Sequence, residues 1–149
     1  MFIIAILAFI AMMVMGMVLG GSLGFYWDIY SAMIVFIPAI VLGIGATSTH
    51  SFKLGLALLA GSGEKLSSDD YQTAAKSFIV IGNSALWVGV IATFIGWVSM
   101  GANIRADDFV NAFGPAFAVS ILTFMYGAFI KVLCYVAEQK IMFKMAQAG

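Results

Sequence analysis

The chain is short of charge and of the residues that form covalent or metal cross-links. Of its 149 residues only 9% are charged, seven basic and seven acidic. About a quarter of the residues are charged in an ordinary soluble domain. The single cysteine, Cys134, excludes an intramolecular disulfide and any CxxC metal site. The net charge of zero gives no electrostatic footprint for binding nucleic acid, so neither a soluble domain nor a nucleic-acid-binding domain is indicated.

Long apolar stretches take the place of the missing charge. Hydrophobic residues make up 63% of the chain, and four stretches reach the roughly 20 apolar residues that a helix needs to cross a bilayer. We predict an all-α membrane protein with a single domain over residues 1–149. The predicted spans cover about residues 2–20, 30–52, 77–100 and 109–133, and a short connection covers about 61–76.

Several local signals set the limits of these helices. Aromatic residues around Asp28 are typical of a membrane interface, and Pro38 predicts a kink within the second span. Gly61 predicts the end of a helix that extends past that span. Ser67 followed by Asp70 is typical of a capping box, so a new helix should begin there and run without a break through the third span.

The basic residues predict the orientation of the spans. Six of the seven lie beside the middle connection or near and after the end of the fourth span, and only Arg105 lies on the opposite side. The positive-inside rule therefore places the middle connection and both termini in the cytoplasm. In this orientation the third and fourth helices extend beyond the membrane into the cytoplasm.

The third and fourth spans each carry a stripe of small or hydroxyl-bearing residues at helical spacing. Small side chains let two backbones approach closely, and hydroxyls can bond across the gap. We therefore predict that both spans pack against other helices. The stripes consist of Gly82, Ala85, Gly89, Ala92, Gly96 and Ser99 on the third span, and of Ala112, Ala116, Ser120, Thr123 and Gly127 on the fourth.

A motif in each of these two spans resembles a known family. Residues 114–127 read GPAFAVSILTFMYG, which is similar to the GPAxAVxLLTTLYG pattern in the fourth transmembrane helix of the MotA/TolQ/ExbB proton-channel family, closest to its MotA type. Gly89 and residues 92–96, ATFIG, resemble the family's GLxGTVxG pattern in the third helix. Two positions depart from these patterns, because Phe124 stands where the family has a threonine and Leu86 where it has a proline.

The resemblance implies an A-type subunit of an ion-driven motor or energy-transducing complex in the bacterial inner membrane. Five copies would surround two copies of a single-span partner that supplies an intramembrane aspartate, and proton or sodium flow would drive movement between them. Thr93 and Thr123 would face that aspartate in the ion pathway. Only residues 61–76 lie where flagellar motor proteins carry a large cytoplasmic domain. The implied packing and partner-facing residues are Gly89, Ala92, Gly96, Pro115, Ala116, Ser120, Tyr126 and Gly127.

Other interpretations stay open. No span has a central carboxylate, so this chain cannot by itself relay protons through an Asp or Glu. A threonine in a membrane helix often bonds only to a carbonyl of its own preceding turn. The sequence does not decide whether Phe124, in place of the family's threonine, abolishes conduction. A non-conducting structural or assembly protein would carry the same small-residue stripes. We predict neither an enzyme, because a nucleophile–base pair is missing, nor a metal or cofactor site.

Overall fold

The protein is described here from a computed structural model that covers residues 2–61, 66–105 and 109–148. This part of the chain contains helices and turns but no strand. The helices are α1 (Phe2–Leu19), α2 (Ile29–Ala46), α3 (Thr49–Ala60), α4 (Ser68–Asn103) and α5 (Phe109–Ala148), with a short 3-10 turn at Leu23–Tyr26. Helices α1, α4 and α5, and α2 together with the preceding turn, are long and apolar enough to cross a membrane. The prediction of an all-helical membrane protein with four candidate spans is thus confirmed.

The second predicted span does not form one continuous helix over residues 30–52. Helix α2 continues through Pro38 but ends at Ala46, and α3 begins at Thr49. Local side-chain bonds accompany the break, and the Thr47 hydroxyl donates to the carbonyl of Gly43 at 2.7 Å. The Ser48 hydroxyl accepts from the N–H of Ser51 at 3.0 Å and so caps a new helix. Side-chain bonds of this kind offer the backbone an alternative to the helical ladder.

The later helix limits follow the capping signals. Helix α3 stops at Gly61, whose φ of +96° suits glycine. At the start of α4 the Ser67 hydroxyl accepts from the N–H of Asp70 at 3.2 Å, and the Asp70 carboxylate accepts from the N–H of Ser67 at 3.0 Å. The predicted capping box is therefore confirmed. Of the predicted connection 61–76, residues 62–65 lie outside the described part, and 68–76 already belong to α4.

Helices α4 and α5 are much longer than a bilayer requires. They contain 36 and 40 residues, which correspond to about 54 and 60 Å at 1.5 Å per residue. At one end of the pair, which we call the α3 end, α3 packs against the first turns of α4 and the last turns of α5. The buried cluster there consists of Leu58, Tyr71, Ala74, Ala75, Phe78, Ile81, Cys134, Ala137 and Ile141. Lys144 also donates to the carbonyl of Leu58 in the last turn of α3.

Helix α2 is fixed at two places, whereas α1 is held weakly. Val35 and Ala39 of α2 pack against Ala85 of α4. The Tyr126 hydroxyl of α5 donates to the carbonyl of Tyr26 at 2.5 Å and accepts from the N–H of Asp28 at 3.1 Å. Helix α1 has no buried residue. It contacts α5 where the ring centroids of Phe9 and Phe129 lie 5.8 Å apart.

Candidate functional site

Helices α4 and α5 touch along a seam of small residues that runs the length of their apolar parts. A Cβ atom added to Gly89 would lie 2.8 Å from the carbonyl oxygen of Thr123, and one added to Gly127 would lie 2.5 Å from that of Ala85. A Cβ on Gly96 would lie 2.9 Å from the Cβ of Ser120. The two backbones are thus in direct contact, which alanine would already prevent.

Three buried hydroxyls lie in the middle of this seam. The Thr93 hydroxyl lies 2.8 Å from the carbonyl oxygen of Gly89, 2.9 Å from that of Ser120 and 3.0 Å from the Thr123 hydroxyl. The Thr123 hydroxyl donates to the carbonyl of Ser120 at 2.5 Å. The two predicted ion-pathway threonines therefore meet across the helix interface, and the Thr93 hydroxyl has a carbonyl acceptor within reach on its own helix and another on the opposite one. We call Thr93, Thr123 and Ser120 the hydroxyl cluster.

A tryptophan closes one side of the hydroxyl cluster. The indole N–H of Trp97 donates to the Ser120 hydroxyl at 3.0 Å, and that hydroxyl donates to the carbonyl of Phe117 at 2.7 Å. Trp97 was not among the predicted site residues. Its position four residues after Thr93, one turn along the same helix face, is the signal that could have identified it.

Each hydroxyl of the cluster has a backbone carbonyl within hydrogen-bonding distance to which it can donate. A threonine or serine hydroxyl carries one proton and two lone pairs. With Thr123 and Ser120 donating within α5, and Thr93 donating to either nearby carbonyl, the remaining capacity of the cluster is to accept. No buried side-chain nitrogen or oxygen within the described ranges lacks a hydrogen-bond partner. The cluster can therefore offer lone pairs to a protonated carboxyl group or to a cation.

Thr93 also forms part of the floor of a surface groove. A groove of about 290 Å³ between α4 and α5 is lined by Val90, Thr93, Phe94, Trp97, Ile121 and Phe124. Phe94 and Phe124 are exposed, whereas Thr93 is buried between the helices. We call this the Thr93 groove. Its lining is apolar and suits a hydrophobic helix, while the Thr93 hydroxyl itself is turned into the seam.

The predicted packing and partner-facing residues lie in different environments. Gly89, Gly96, Ser120 and Gly127 lie in the seam. Ala92 and Ala116 are half-buried and Pro115 is exposed, and Tyr126 bonds to the turn before α2. Among the described residues no group of three His, Cys, Asp or Glu side chains could hold a metal ion.

Comparison with known proteins gives no independent assignment. No protein-family model and no curated protein matches this chain.

Proposed function

We propose that this chain is the A-type subunit of a proton- or sodium-driven motor or energy-transducing complex in the bacterial inner membrane. The observation that carries the proposal is the pair of buried threonine hydroxyls, Thr93 and Thr123, which lie 3.0 Å apart beside a surface groove. The motifs around them, on α4 and α5, are those that resemble the MotA/TolQ/ExbB family. The four candidate membrane helices support the membrane setting.

The ionisable group would come from a single-span partner helix in the Thr93 groove. None of the candidate spans has a central carboxylate of its own, and a charge pathway through lipid needs such a group. The partner's aspartate in its protonated form could donate to the lone pairs of the hydroxyl cluster. In the sodium version the same oxygens would replace part of the ion's hydration shell. Either step would couple the state of the aspartate to the fit of the partner helix against α4 and α5.

Phe124 changes the groove rather than the seam. The family pattern has threonines at both positions 123 and 124, and here Thr123 supplies the buried hydroxyl while the exposed Phe124 lines the groove. The α5 hydroxyl of the cluster therefore lies beneath the groove lining, and a partner helix would have to displace part of that lining to reach it. The aromatic ring narrows the choice of partner side chains that fit beside it.

The assembly and the orientation follow from the same proposal. Five copies would surround two partner helices, with both termini, the connection before α4 and the extended ends of α4 and α5 in the cytoplasm. The lengths of α4 and α5 support the cytoplasmic extension. A helix needs about 20 residues to cross about 30 Å of lipid, and these helices contain 36 and 40 residues. The α3 end would then stand in for the much larger output domain of flagellar motor proteins.

One observation favours a second candidate, a non-conducting structural or assembly protein. Every hydroxyl of the cluster already has a carbonyl acceptor within the protein, and the Trp97 indole N–H of α4 donates to the Ser120 hydroxyl of α5, so the cluster can serve packing between the two helices without a partner. In that case the threonines would contribute only to packing, and replacing them would change stability rather than ion-dependent work.

The substitution Thr93→Val tests the proposed role, because it keeps the shape and removes the hydroxyl. Thr123 still donates to the carbonyl of Ser120, so no buried carbonyl loses its only partner and assembly should be normal. We expect proton or sodium flux into vesicles containing the protein and its single-span partner to fall at least about tenfold, a barrier change of about 1.4 kcal/mol. Thr93→Ser should retain most of the flux.

Thr73→Val is the matched control for this test. The Thr73 hydroxyl also donates to the carbonyl one turn earlier, that of Asp69 at 2.7 Å, but it is exposed and lies outside the seam. Flux should be unchanged in this variant. Wild-type flux in Thr93→Val, with normal assembly, would assign Thr93 to packing and favour the structural alternative.

A further inference from the structure

Lys131 is a charged side chain on an otherwise apolar stretch of α5. Its ammonium group donates to the side-chain oxygen of Asn83 on α4 at 2.6 Å. A Cβ added to Gly82 would lie 3.3 Å from the Cδ of Lys131, so the aliphatic stem runs over this glycine. No acidic side chain in the described ranges forms an ion pair with Lys131, and an ammonium group has three donors. The pair therefore has a positive charge and hydrogen-bonding capacity left over.

If the polar residues Asn111 and Asn103 mark one edge of the bilayer, the helix geometry puts this pair at the other edge. Twenty positions separate Lys131 from Asn111 on α5, and twenty separate Asn83 from Asn103 on α4. At 1.5 Å per residue each stretch measures about 30 Å, which is the thickness of the hydrocarbon core. A bilayer that covers both stretches has Lys131 and Asn83 at one surface, on the side of the α3 end.

Exposed aromatic residues on both helices agree with this depth. Trp87, one turn from Asn83 on α4, is 65% exposed, and Tyr135, one turn from Lys131 on α5, is 53% exposed. Tryptophan and tyrosine concentrate at the level of lipid headgroups, where an apolar ring and a polar tip are both accommodated. The pair and its aromatic neighbours thus face lipid at the headgroup boundary.

We propose that Lys131 and Asn83 bind the phosphate of an anionic phospholipid on the bilayer surface at the α3 end. The ammonium group supplies the charge, and the Asn83 amide N–H₂ can donate to phosphate while its oxygen accepts from Lys131. A zwitterionic lipid would cancel part of this attraction with its own cation. An acidic side chain of a partner protein is the other anion to consider, but the flanking Trp87 and Tyr135 favour lipid. The site does not depend on whether the chain conducts ions.

Native mass spectrometry of the full chain tests the site. The protein would be released from mild detergent that contains equal amounts of phosphatidylglycerol and phosphatidylcholine with the same acyl chains. We expect wild type to retain phosphatidylglycerol preferentially, and Lys131→Gln to reduce that preference about fivefold, as the loss of one basic residue near the membrane surface predicts. Asn83→Ala keeps the charge and should reduce the preference by a smaller factor.

Lys76→Gln is the matched control, because Lys76 is an exposed lysine of α4 at the α3 end and lies outside the pair. It should keep the wild-type preference. An unchanged preference in Lys131→Gln, or an equal loss in Lys76→Gln, overturns the site. Loss of a co-purified partner protein from Lys131→Gln with lipid retention unchanged overturns it in favour of a partner carboxylate. If Lys131→Gln does not fold, Asn83→Ala decides, and wild-type retention in that variant rejects the proposed pair.

Discussion

Helix α1 and the α4–α5 seam are both apolar, yet they are packed in opposite ways. Helix α1 is apolar on every side and buries none of its residues. The seam contains glycines and hydroxyls and brings two backbones into contact. In lipid an apolar surface gains nothing by leaving its surroundings, so helices associate through close packing and hydrogen bonds. The comparison indicates that small and polar residues hold α4 against α5 within their apolar parts, whereas large apolar side chains form the buried cluster at the α3 end.

Glycine alone does not produce a seam. Gly16 of α1 has no atom within 4 Å of the position where its Cβ would be, whereas Gly89 and Gly127 face each other's backbones. The difference lies in the opposite helix, which must offer a small residue at the same height. A close approach therefore needs two matched stripes, and α1 has no matched stripe opposite it.

Among the substitutions in the seam, Gly127→Ala should lower the stability of the protein strongly. The new methyl group would lie 2.5 Å from the carbonyl oxygen of Ala85, and backbone cannot move aside as a side chain can. We expect a loss of about 1–3 kcal/mol in the free energy of unfolding in detergent, the usual cost of overpacking. Gly89→Leu and Gly96→Leu should act in the same direction and prevent normal assembly, because each places a branched chain in the seam.

Gly114→Ala is the control for this prediction, since Gly114 is on the same helix and has nothing within 4 Å of the added atom. Its thermal unfolding should match or slightly exceed that of wild type, because alanine favours helix over glycine. Equal stability of Gly127→Ala and Gly114→Ala would mean that α4 and α5 do not approach as closely as described.

Tyr126→Phe should have an intermediate effect, because one hydroxyl ties α5 to the turn before α2. Its removal deletes a bond to the carbonyl of Tyr26 and another from the N–H of Asp28, each worth about 0.5–1.5 kcal/mol. The hydrogen-exchange rate of the Asp28 amide should rise, while the exchange rates of amides in the seam should not change. Tyr135→Phe is the control, since Tyr135 makes no hydrogen bond within the described ranges. Equal exchange in both variants would show that the tie is not formed in solution.

The sequence predicts the seam better than it predicts the connections. Gly89 and Gly127 are visible as members of regular stripes, because the period of a helix is known before its partner is. The break between α2 and α3 was missed, since Thr47 and Ser48 can as easily continue a helix as cap one, and the bonds that decide lie within one turn. The periodicity of apolar residues does not show whether such side-chain bonds or the helical backbone bonds will prevail.

The direction of the hydroxyl protons could not be predicted at all. The resemblance implies that Thr93 faces a partner aspartate, but it does not show that the Thr93 hydroxyl lies within reach of two carbonyls, one of them on α5. That second acceptor is the carbonyl of Ser120, which is 27 positions from Thr93 in the sequence. Its distance from Thr93 depends on the register between α4 and α5. The motif identifies the residue, and only the packing shows that its remaining capacity is to accept.

The smallest effect is expected for Ile4→Val in α1, and a matched substitution makes it informative. Ile4 is 65% exposed and Ile81 of α4 is 4% exposed, so the same methylene is removed from a lipid-facing site and from a packed one. Ile81→Val should cost about 0.5–1.5 kcal/mol, as in protein cores, because it leaves a cavity. Ile4→Val should stay within about 0.5 kcal/mol of wild type, since lipid fills the space that the side chain leaves. If thermal unfolding of the intact complex shows equal losses, the exposed face of α1 is covered by another subunit, and the contrast between α1 and the seam belongs to the isolated chain alone.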